Sequence, residues 1–564
     1  MKYSVKKTPR VYTKLRGFAD LLPLFEARGE RVLFKYPKGK EFVTLSNADF
    51  GKMINRVAAG LFAVGLAGKR VALIGETSPE WVASYLAIVA GGGVAIPMDK
   101  ELAIDAIEGF LAGVEAEAII YSESFHEKLA STRESHPSLT TFIPITGEAG
   151  DKVLPFADLL AKGDEALTAG YTLPERDHDA PATMLFTSGT TGTSKCVVLA
   201  EKNTCACVNA ACESVNFSAK DVLLSVLPIH HTYELAIMLA SLCYGITVGI
   251  NDSLRHLMRN FAEFKPTGLI LVPLFVNTMH KKIWDEAKKK GKDKLLRSII
   301  PVSNGLRRVG LDLRRKLFAS VVGAFGGSLT KIICGGAPLN PDMVKNFEAF
   351  GIQICEGYGI TECSPLISVS PYFAPRRGSV GPAVQSCEAR IAAERKNDLG
   401  FDEGEIQVKG ENVMLGYYNN EAENQKAFTE DGWYRTGDVG YMDADGYIYI
   451  TGRMKSVIVL ENGKNVFPEE IEEYLEEITE IAECVVVGRK EEDGETVNLT
   501  AIVYPNRDLF APDADNDTIY KTIYAKIVAL NKKLPSFKKI KGLELRDTEF
   551  EKTTSRKIKR HLVQ

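Results

Sequence analysis

The sequence predicts an α/β protein with a large N-terminal domain and a small C-terminal domain. In its first half, "RVALIGE" (70–76) predicts a strand and "SPEWVASYLAIVAGG" (78–92) a Ser-capped helix, and "GVAIPMD" (93–99) and "AEAIIYSES" (116–124) predict further strands. Strand–helix–strand units rich in β-branched residues indicate a parallel sheet covered by helices. We expect two such parallel-type α/β subdomains, at residues 1–180 and 181–375.

The pattern changes after "YFAPRRGSVGPAV" (372–384). Up to Arg453, short strands alternate with turn dipeptides, which predicts a small antiparallel barrel or sandwich; we expect a β-barrel subdomain at 376–453. The last part, 455–564, combines "VIVL", the acidic helix "PEEIEEYLEEI" and "ECVVVG", which indicates a small α+β domain. With the boundary near "TGRMKS", the N-terminal domain would comprise residues 1–454.

Length and composition exclude several functional classes. The 564 residues are 25% charged and 45% hydrophobic with a net charge of −4, which is typical of a globular protein and not of a dedicated nucleic-acid-binding protein. No apolar stretch reaches the roughly 18 residues of a membrane span, and none follows the basic N-terminus as in a signal peptide. The ten cysteines include no CxxC pair and the eight histidines no HxxxH pair. We therefore expect reduced thiols, a cytoplasmic location and no transition-metal site held by protein ligands alone.

A stretch rich in glycine and hydroxyl residues is the first candidate for a phosphate site. "TSGTTGTSK" (187–195) joins two apolar segments, and its two glycines allow backbone N–H groups to converge on an anion, with Lys195 as a cation. A Walker P-loop is excluded, because Ser194 precedes the lysine and Cys196 follows it where that loop has Gly and a hydroxyl residue. Taken alone, the stretch has a surface loop as its alternative.

Further motifs follow this loop in order along the chain: "ICGGAPLNP" (333–341), "EGYGITECSP" (356–365), "GWYRTGDVGYMDADGYIYITGRMK" (432–455) and "KTTSRKIKR" (552–560). Together they resemble the adenylate-forming superfamily of acyl-CoA synthetases, peptide-synthetase adenylation domains and firefly luciferase. The resemblance extends from "EFVTLSNADF" (41–50) to Arg560. It implies a reaction in two halves: a carboxylate attacks the α-phosphate of ATP to give acyl-AMP and pyrophosphate, and a thiol then attacks the mixed anhydride.

The resemblance implies the residues of an ATP site. The glycine-rich loop is similar to the family's mobile phosphate loop, and Ser194 and Cys196, where the family often has Pro and Gly, remove no donor. Tyr358 is expected to stack on adenine, and Thr361 and Glu362 to contact the α-phosphate and Mg²⁺. Asp438 is expected to accept both ribose hydroxyls, with Arg453 as a further ribose or phosphate contact. The implied ATP- or AMP-binding set is Thr187, Ser188, Gly189, Thr190, Thr191, Gly192, Thr193, Lys195, Gly335, Gly336, Ala337, Tyr358, Gly359, Asp438 and Arg453.

Catalytic residues and a hinge are also implied by the resemblance. Lys557 would hold the acyl carboxylate and the α-phosphate during adenylation, although a bare basic run is usually a solvated tail, and Arg556 stands where the family commonly has Gly. Lys455 would be the hinge on which a mobile C-terminal domain rotates between the half-reactions, and Gly463 would line the passage for CoA. His231, in "LPIHHTYE", aligns with an aromatic or His residue near the carboxylate, whereas a lone His is more often structural.

A long insert at 281–329 bears on the acid substrate. With "GLRRVGLDLRRKLF" (305–318) it resembles long-chain fatty acyl-CoA synthetases rather than acetate, aryl or amino-acid activators. A tunnel for the acyl chain could lie along 232–245, which could also be an ordinary core helix. The Lys and Arg clusters at 281–294 and 307–316 could contact an anionic membrane, and a solvated helical hairpin is the alternative.

The expected function is therefore ATP-dependent activation of a medium- to long-chain fatty acid, with Mg²⁺, and transfer to CoA to give acyl-CoA and AMP. An acyl carrier protein in place of CoA is the main alternative. A non-catalytic acyl-nucleotide-binding protein ranks below it, because Lys557 and Glu362 are both present. Oxidation of an acyl-AMP, as in luciferase, has no support in the sequence. No nucleic-acid partner is expected.

Overall fold

The structure is a computed structural model, and it describes residues 12–136, 138–187, 194–460, 465–490, 497–532, 534–553 and 558–563. The chain divides into two units. Unit 1 comprises residues 1–337, 341–388 and 408–434, and unit 2 comprises residues 338–340, 389–407 and 435–564.

The strands are, in chain order, β1 (Val32–Lys38), β2 (Glu41–Ser46), β3 (Arg70–Ile74), β4 (Val94–Met98), β5 (Ala118–Tyr121), β6 (Thr141–Pro144), β7 (Pro181–Thr187), β8 (Lys195–Ala200), β9 (Val222–Ser225), β10 (Thr247–Ile250), β11 (Gly268–Leu271), β12 (Lys331–Gly335), β13 (Gln353–Gly359), β14 (Leu366–Val369), β15 (Cys387–Lys396), β16 (Asp402–Gly410), β17 (Gly416–Tyr417), β18 (Tyr434–Met442), β19 (Ile448–Arg453), β20 (Ile458–Val459), β21 (Asn465–Val466), β22 (Ile481–Lys490), β23 (Val497–Pro505) and β24 (Gly542–Leu545).

The α-helices are α1 (Leu21–Arg28), α2 (Asn47–Ala63), α3 (Pro79–Ala90), α4 (Ile104–Gly113), α5 (Ala130–Ser135), α6 (Phe156–Thr168), α7 (Glu201–Ser214), α8 (Thr232–Tyr244), α9 (Leu257–Phe264), α10 (Pro273–Lys289), α11 (Asp293–Arg308), α12 (Arg314–Leu317), α13 (Ala319–Gly323), α14 (Pro341–Phe350), α15 (Glu421–Ala427), α16 (Pro468–Leu475) and α17 (Asn516–Leu530).

Unit 1 is built on two mainly parallel sheets. One has the strand order β17-β8-β7-β4-β3-β5-β6 and the other β14-β13-β12-β11-β9-β10-β1-β2. Strands β3 to β7 pair in parallel, as do β9 to β13, whereas β2, β8, β14 and β17 add antiparallel edges. The predicted α/β class is confirmed. The sheets interleave along the chain, because β1 and β2 join the eight-stranded sheet and β7 and β8 the seven-stranded one, so sheet membership does not change at residue 180.

Three helices of unit 1, α3, α7 and α8, are buried on nearly every side. Their side chains share one core with residues from both sheets, among them Phe34 of β1 and Val71 of β3. A helix with this pattern belongs to the interior of a large domain. The predicted cap of α3 is confirmed, since the Ser78 hydroxyl accepts a hydrogen bond from the Trp81 N–H at 3.1 Å. Helix α8 is thus part of the core of unit 1.

The region predicted as a barrel is instead a four-stranded sheet with the order β15-β16-β18-β19. Across 376–453, all of which is described, the one further strand is the two-residue β17, and it pairs with β8 of the seven-stranded sheet. Small barrels that fill their interior with side chains typically need about eight strands, so four strands leave an open sheet. The rest of unit 2 forms the ribbon β20-β21 and the sheet β22-β23-β24, which shares a core with α16 and α17, as an α+β domain requires.

Helices α2 and α6 of unit 1 approach each other backbone to backbone through glycine. A Cβ at Gly60 would lie 2.3 Å from the Leu159 carbonyl oxygen, and a Cβ at Gly163 would lie 2.0 Å from that of Arg56. Any side chain at either position would therefore push the helices apart.

Gly163→Ala is accordingly expected to destabilise the protein by about 2 kcal/mol, because overpacking a tight contact forces backbone shifts. The measurement is the thermal unfolding midpoint by circular dichroism. The matched control is Gly109→Ala in α4, where nothing lies within 4 Å of the added Cβ. It should leave the midpoint unchanged or raise it, because Ala favours helix over Gly. Equal midpoints for the two variants would contradict the close packing.

Candidate active site

Two neighbouring strands bring the predicted adenine and phosphate motifs together. Strand β12 ends at Gly335, which pairs in register with Gly357 of the parallel strand β13. A Cβ at Gly335 would lie 3.0 Å from the Gly357 carbonyl oxygen. Because parallel neighbours end at the same edge of a sheet, residues 335–337 lie beside Tyr358, which is 7% exposed. Ligands of open α/β sheets bind at this edge.

The turn after β13 determines where Glu362 lies. A Cβ at Gly359 would lie 2.0 Å from the Pro365 carbonyl oxygen, to which the Ile360 N–H donates at 2.9 Å, so only glycine fits there. Thr361–Cys363 form a single 3-10 turn. The Glu362 carbonyl accepts from the Met414 N–H at 2.8 Å. Glu362 therefore has a fixed backbone in the middle of the turn.

The described end of the glycine-rich loop is tied to the same region. Thr187 and Lys195 pair across the β7–β8 hairpin. The Lys195 ammonium forms an ion pair with Glu423, and it lies 4.8 Å from the centroid of the Tyr417 ring. The Tyr417 hydroxyl in turn donates to Oε1 of Glu362 at 2.9 Å. The structure thus brings two of the predicted ATP-site residues into contact with one tyrosine, Lys195 with the ring of Tyr417 and Glu362 with its hydroxyl.

The ion pair of Lys195 fixes the charge of its partner. Hydrogen bonds, first from Lys195 and then from Lys426, lower the pKa of Glu423 to about 2. Glu423 is therefore a carboxylate at any working pH, and Lys195 has a permanent counter-ion. Neither Tyr417 nor Glu423 was identified from the sequence. Glu423 is 228 residues from Lys195, and its neighbours "NNEAENQ" have no catalytic pattern.

The N-terminus of α8 lies next to the end of β12. The Tyr233 ring lies 3.4 Å from the Cβ position of Gly335, and its hydroxyl donates to the Ile333 carbonyl at 3.2 Å. His231 is the N-cap residue of α8, so it is held near the same edge of the sheet. Its neighbour His230 packs against it with ring centroids 4.2 Å apart. Burial, followed by the charges of His231 and Lys100, lowers the pKa of His230 far below its usual range, so His230 is neutral.

A buried acid lies one turn into α8. Glu234 is 2% exposed, and it accepts a hydrogen bond from the Ser225 hydroxyl through one carboxyl oxygen. Its other oxygen has no hydrogen-bond partner among the described residues. Burial raises the pKa of Glu234 to about 8. The side chain therefore carries a proton at neutral pH.

The first turn of α8 borders a small cavity. Thr232, Leu235 and Ala236 line it together with side chains of α3, β7, β8 and α7. Farther along the helix, Leu239, Leu242 and Cys243 are completely buried. The predicted acyl tunnel along 232–245 stays a prediction, and this small cavity lies at its start.

Unit 2 contains another pair from the predicted set. Asp438 of β18 pairs in register with Arg453 of β19, and the Arg453 Nε lies 2.9 Å from Oδ1 of Asp438. Asp438 is 3% exposed. Lys455, the predicted hinge, is exposed in the 3-10 turn Met454–Ser456.

Several predicted residues lie outside the described part of the chain. These are six residues of the glycine-rich loop, the residue expected at the CoA passage and the catalytic lysine: Ser188, Gly189, Thr190, Thr191, Gly192, Thr193, Gly463 and Lys557. Their roles remain predictions.

This fold is that of adenylate-forming enzymes. ATP-bound MatB from Rhodopseudomonas palustris is similar with a TM-score of 0.74 and 25% identity, over 97% of this chain and 98% of that one. The chain belongs to the AMP-binding enzyme family, whose model matches residues 25–418; the model of the AMP-binding enzyme C-terminal domain matches residues 455–564. The predicted membership of the adenylate-forming superfamily is confirmed.

Two relatives differ in the acceptor of the acyl group. The long-chain-fatty-acid–CoA ligase FadD15 of Mycobacterium bovis is 31% identical over 458 residues, which is 78% of this chain and 74% of that protein. The chloroplastic long-chain-fatty-acid–[acyl-carrier-protein] ligase AEE15 of Arabidopsis thaliana is 27% identical over 577 residues, which is 89% of this chain and 78% of that protein.

Glu234→Gln is expected to leave the unfolding midpoint nearly unchanged at pH 5 and to raise it relative to wild type at pH 9. The pKa of Glu234 in the folded protein, about 8, lies above its ordinary value of 4.5, so its contribution to stability is complete below about pH 4.5 and is lost as the pH rises through 8. Gln keeps the acceptor for Ser225 but cannot ionise. Scanning calorimetry of both proteins from pH 5 to 9 measures the difference. The exposed Glu430→Gln serves as control, and a difference independent of pH for Glu234→Gln would contradict its protonation.

Proposed function

We propose that this protein is an AMP-forming acid–thiol ligase that activates a medium- to long-chain fatty acid with ATP and transfers it to CoA. The observation that carries the proposal is the convergence of Lys195 and Glu362 on Tyr417, near the edge where residues 335–337 meet Tyr358. A cation from one sheet, and a carboxylate and an aromatic ring from the end of a strand of the other, are the groups that a triphosphate, its metal and its base require.

The proposed chemistry uses these groups in two displacements. In the first, a carboxylate oxygen forms a bond to the α-phosphorus and the bond to pyrophosphate breaks. Two anions meet in this step, so Lys195 and Lys557 would offset the repulsion and the Thr361 hydroxyl would donate to the α-phosphate. In the second, the CoA thiolate forms a bond to the acyl carbon and AMP leaves. His231, at the N-terminus of α8, would border the acyl carboxylate.

Magnesium fits the carboxylate of Glu362. Among the described residues no group of three or more His, Cys, Asp or Glu could hold a metal ion. Mg²⁺ does not need such a cage, because it is commonly bound by one or two carboxylates together with substrate phosphates and water. When bound, the ion would neutralise phosphate charge. The contribution of Glu362 is a hard oxygen ligand whose direction is set by the Tyr417 hydroxyl.

Unit 2 would supply the contact with the ribose, and its movement would switch the enzyme from the first half-reaction to the second. Asp438, aligned by Arg453, would accept the ribose hydroxyls. We propose that residues 1–454 form the adenylation domain and 455–564 a mobile domain with its hinge at Lys455. Rotation at the hinge would exchange Lys557 for the passage lined by Gly463.

The identities of the acid substrate and of the acyl acceptor are inferred from the names of the relatives. FadD15 is a long-chain-fatty-acid–CoA ligase by name, and AEE15 a long-chain-fatty-acid–[acyl-carrier-protein] ligase. A long-chain acid is therefore the proposed substrate and CoA the proposed acceptor, with an acyl carrier protein as the second candidate.

The test is AMP release with MgATP and carboxylic acids from acetate to stearate, each with and without CoA. Release that depends on CoA and is strongest with long acids is the expected result. Lys557→Ala is the matched variant: it should abolish acyl-AMP formation and largely spare thioester formation from supplied acyl-AMP. Bound acyl-AMP without any effect of CoA would favour the carrier protein, and absence of AMP release and acyl-AMP with every acid would overturn the proposal.

We further propose that the insert contacts an anionic membrane peripherally. Residues 281–316 contain thirteen Lys or Arg and four Asp or Glu in a chain whose net charge is −4. On α11, Leu295 and Val302 are 54% and 60% exposed, and Val309 just after it is 74% exposed. These three residues recur every seven positions, so they lie on one face, among exposed cations such as Lys294.

No described helix is long and apolar enough to cross a membrane. The cytoplasmic location expected from the sequence stays a prediction.

Sedimentation with anionic phosphatidylserine vesicles at low salt tests this contact. The wild-type protein is expected to sediment with them and not with neutral phosphatidylcholine vesicles, because basic residues near a surface gain about 1 kcal/mol each from anionic lipid. Replacing Leu295 and Val302 by Ser should weaken sedimentation while leaving the fold intact, since both side chains are exposed. If the wild type stays in the supernatant with anionic vesicles, the insert is a solvated hairpin.

A further inference from the structure

One segment of unit 1 joins the two sides of the proposed phosphate site. We call residues 412–424 the clasp. The Leu415 and Tyr418 N–H groups donate to carbonyls of β8, to Val198 at 2.9 Å and to Cys196 at 2.8 Å. The neighbouring Met414 N–H donates instead to the Glu362 carbonyl, in the turn after β13. The clasp therefore bonds to the strand that begins at Lys195 and to the turn that carries Glu362.

Tyr417 lies at the centre of the clasp with its backbone held on both sides. Its N–H donates to Oδ1 of Asn424 at 2.7 Å, and its carbonyl accepts from Nδ2 of the same side chain at 3.0 Å. The preceding Gly416 has φ of +145°, and a Cβ there would lie 3.0 Å from the Asn424 Oδ1. Tyr417 itself is 7% exposed. Its side chain is thus confined before any ligand binds.

The hydroxyl of Tyr417 donates its hydrogen bond to a carboxylate. That proton is directed to Oε1 of Glu362. The Tyr434 hydroxyl, 3.3 Å away, can then donate to the Tyr417 oxygen. The arrangement turns one oxygen of Glu362 toward the clasp.

We infer that Tyr417 is a positioning residue that sets the direction of the Glu362 carboxylate and the place of the Lys195 ammonium together. Its hydroxyl orients the carboxylate of Glu362, the proposed Mg²⁺ ligand. The centre of its ring lies 4.8 Å from the ammonium of Lys195, which is proposed to bind phosphate, and the ring face attracts this cation. One rigid side chain thereby keeps the two groups at a fixed spacing along the polyphosphate. The inference rests on the proposed function, because it concerns how MgATP is held.

Glu423 offers a matched comparison within the same cluster. It contacts Lys195 and Lys426, and none of its described contacts is with Glu362. Glu423→Gln therefore frees the Lys195 ammonium without changing the orientation of Glu362. Tyr417→Phe does the reverse: it keeps the ring beside Lys195 and removes only the hydroxyl.

The experiment is calorimetric titration of wild type, Tyr417→Phe and Glu423→Gln with ATP over a series of Mg²⁺ concentrations, with AMP in the absence of Mg²⁺ as a check on the fold. Tyr417→Phe is expected to need about tenfold more Mg²⁺ for half-maximal ATP binding, since a hydrogen bond to a charged group is lost, and to bind AMP as wild type does. Glu423→Gln should bind ATP a few-fold more tightly, because a competing carboxylate is gone, with an unchanged Mg²⁺ dependence.

Three results would overturn the inference. A wild-type Mg²⁺ dependence in Tyr417→Phe would mean that the hydroxyl does not orient Glu362. Equal weakening of ATP and AMP binding in that variant would mean a purely structural role. If wild type binds no ATP at any Mg²⁺ concentration, the proposed function fails and the inference fails with it, whereas the first two results leave the proposed function standing.

Discussion

The hydrogen bonds that residues 412–424 make to β8 and to the turn after β13 are the constraint on which the proposed site depends. The two attachment points belong to different sheets, β8 to the seven-stranded sheet and the turn after β13 to the eight-stranded one, so these bonds tie the two sheets together beside the site. Backbone bonds are directional and costly to leave unmade when buried, so they fix distance and orientation together. These backbone bonds fix the position of Tyr417, and its side chain then contacts Glu362 and Lys195.

The interior around the N-terminus of α8 contains buried polar side chains, although protein cores are mostly apolar. Helix α8 is buried throughout, yet its first turn and N-cap region contain Glu234 and His230, each with a buried polar atom that has no hydrogen-bond partner among the described residues. Such groups cost stability, and unsatisfied polar atoms are concentrated where function requires them more often than elsewhere. Both residues are held neutral by burial, which limits that cost. The same helix also borders the cavity beside the proposed acyl site.

The sequence predicted features that depend on neighbours along the chain. The strands at 70–76 and 93–99 and the cap at Ser78 follow from local periodicity and from one hydroxyl, and they are confirmed. The superfamily was identified because its motifs are contiguous. The barrel was wrong because the region contributes four strands to an open sheet and β17 to another sheet, and turn spacing along the chain does not show how many strands pair with one another. The contact of Lys195 with Glu423 could not be predicted, since nothing local at either residue specifies a partner 228 positions away.

The late position of β17 in the chain has a consequence for folding during synthesis. Strand β8, "KCVVLA", is complete 200 residues into the chain, but the strand that covers its outer edge is made only at Gly416–Tyr417. At about 5–20 residues per second, translation leaves that edge unpaired for on the order of ten to forty seconds. An apolar edge strand with free N–H and C=O groups is a template for pairing with other chains. Between the synthesis of β8 and that of β17, this part of the edge of β8 is therefore available for pairing with other chains.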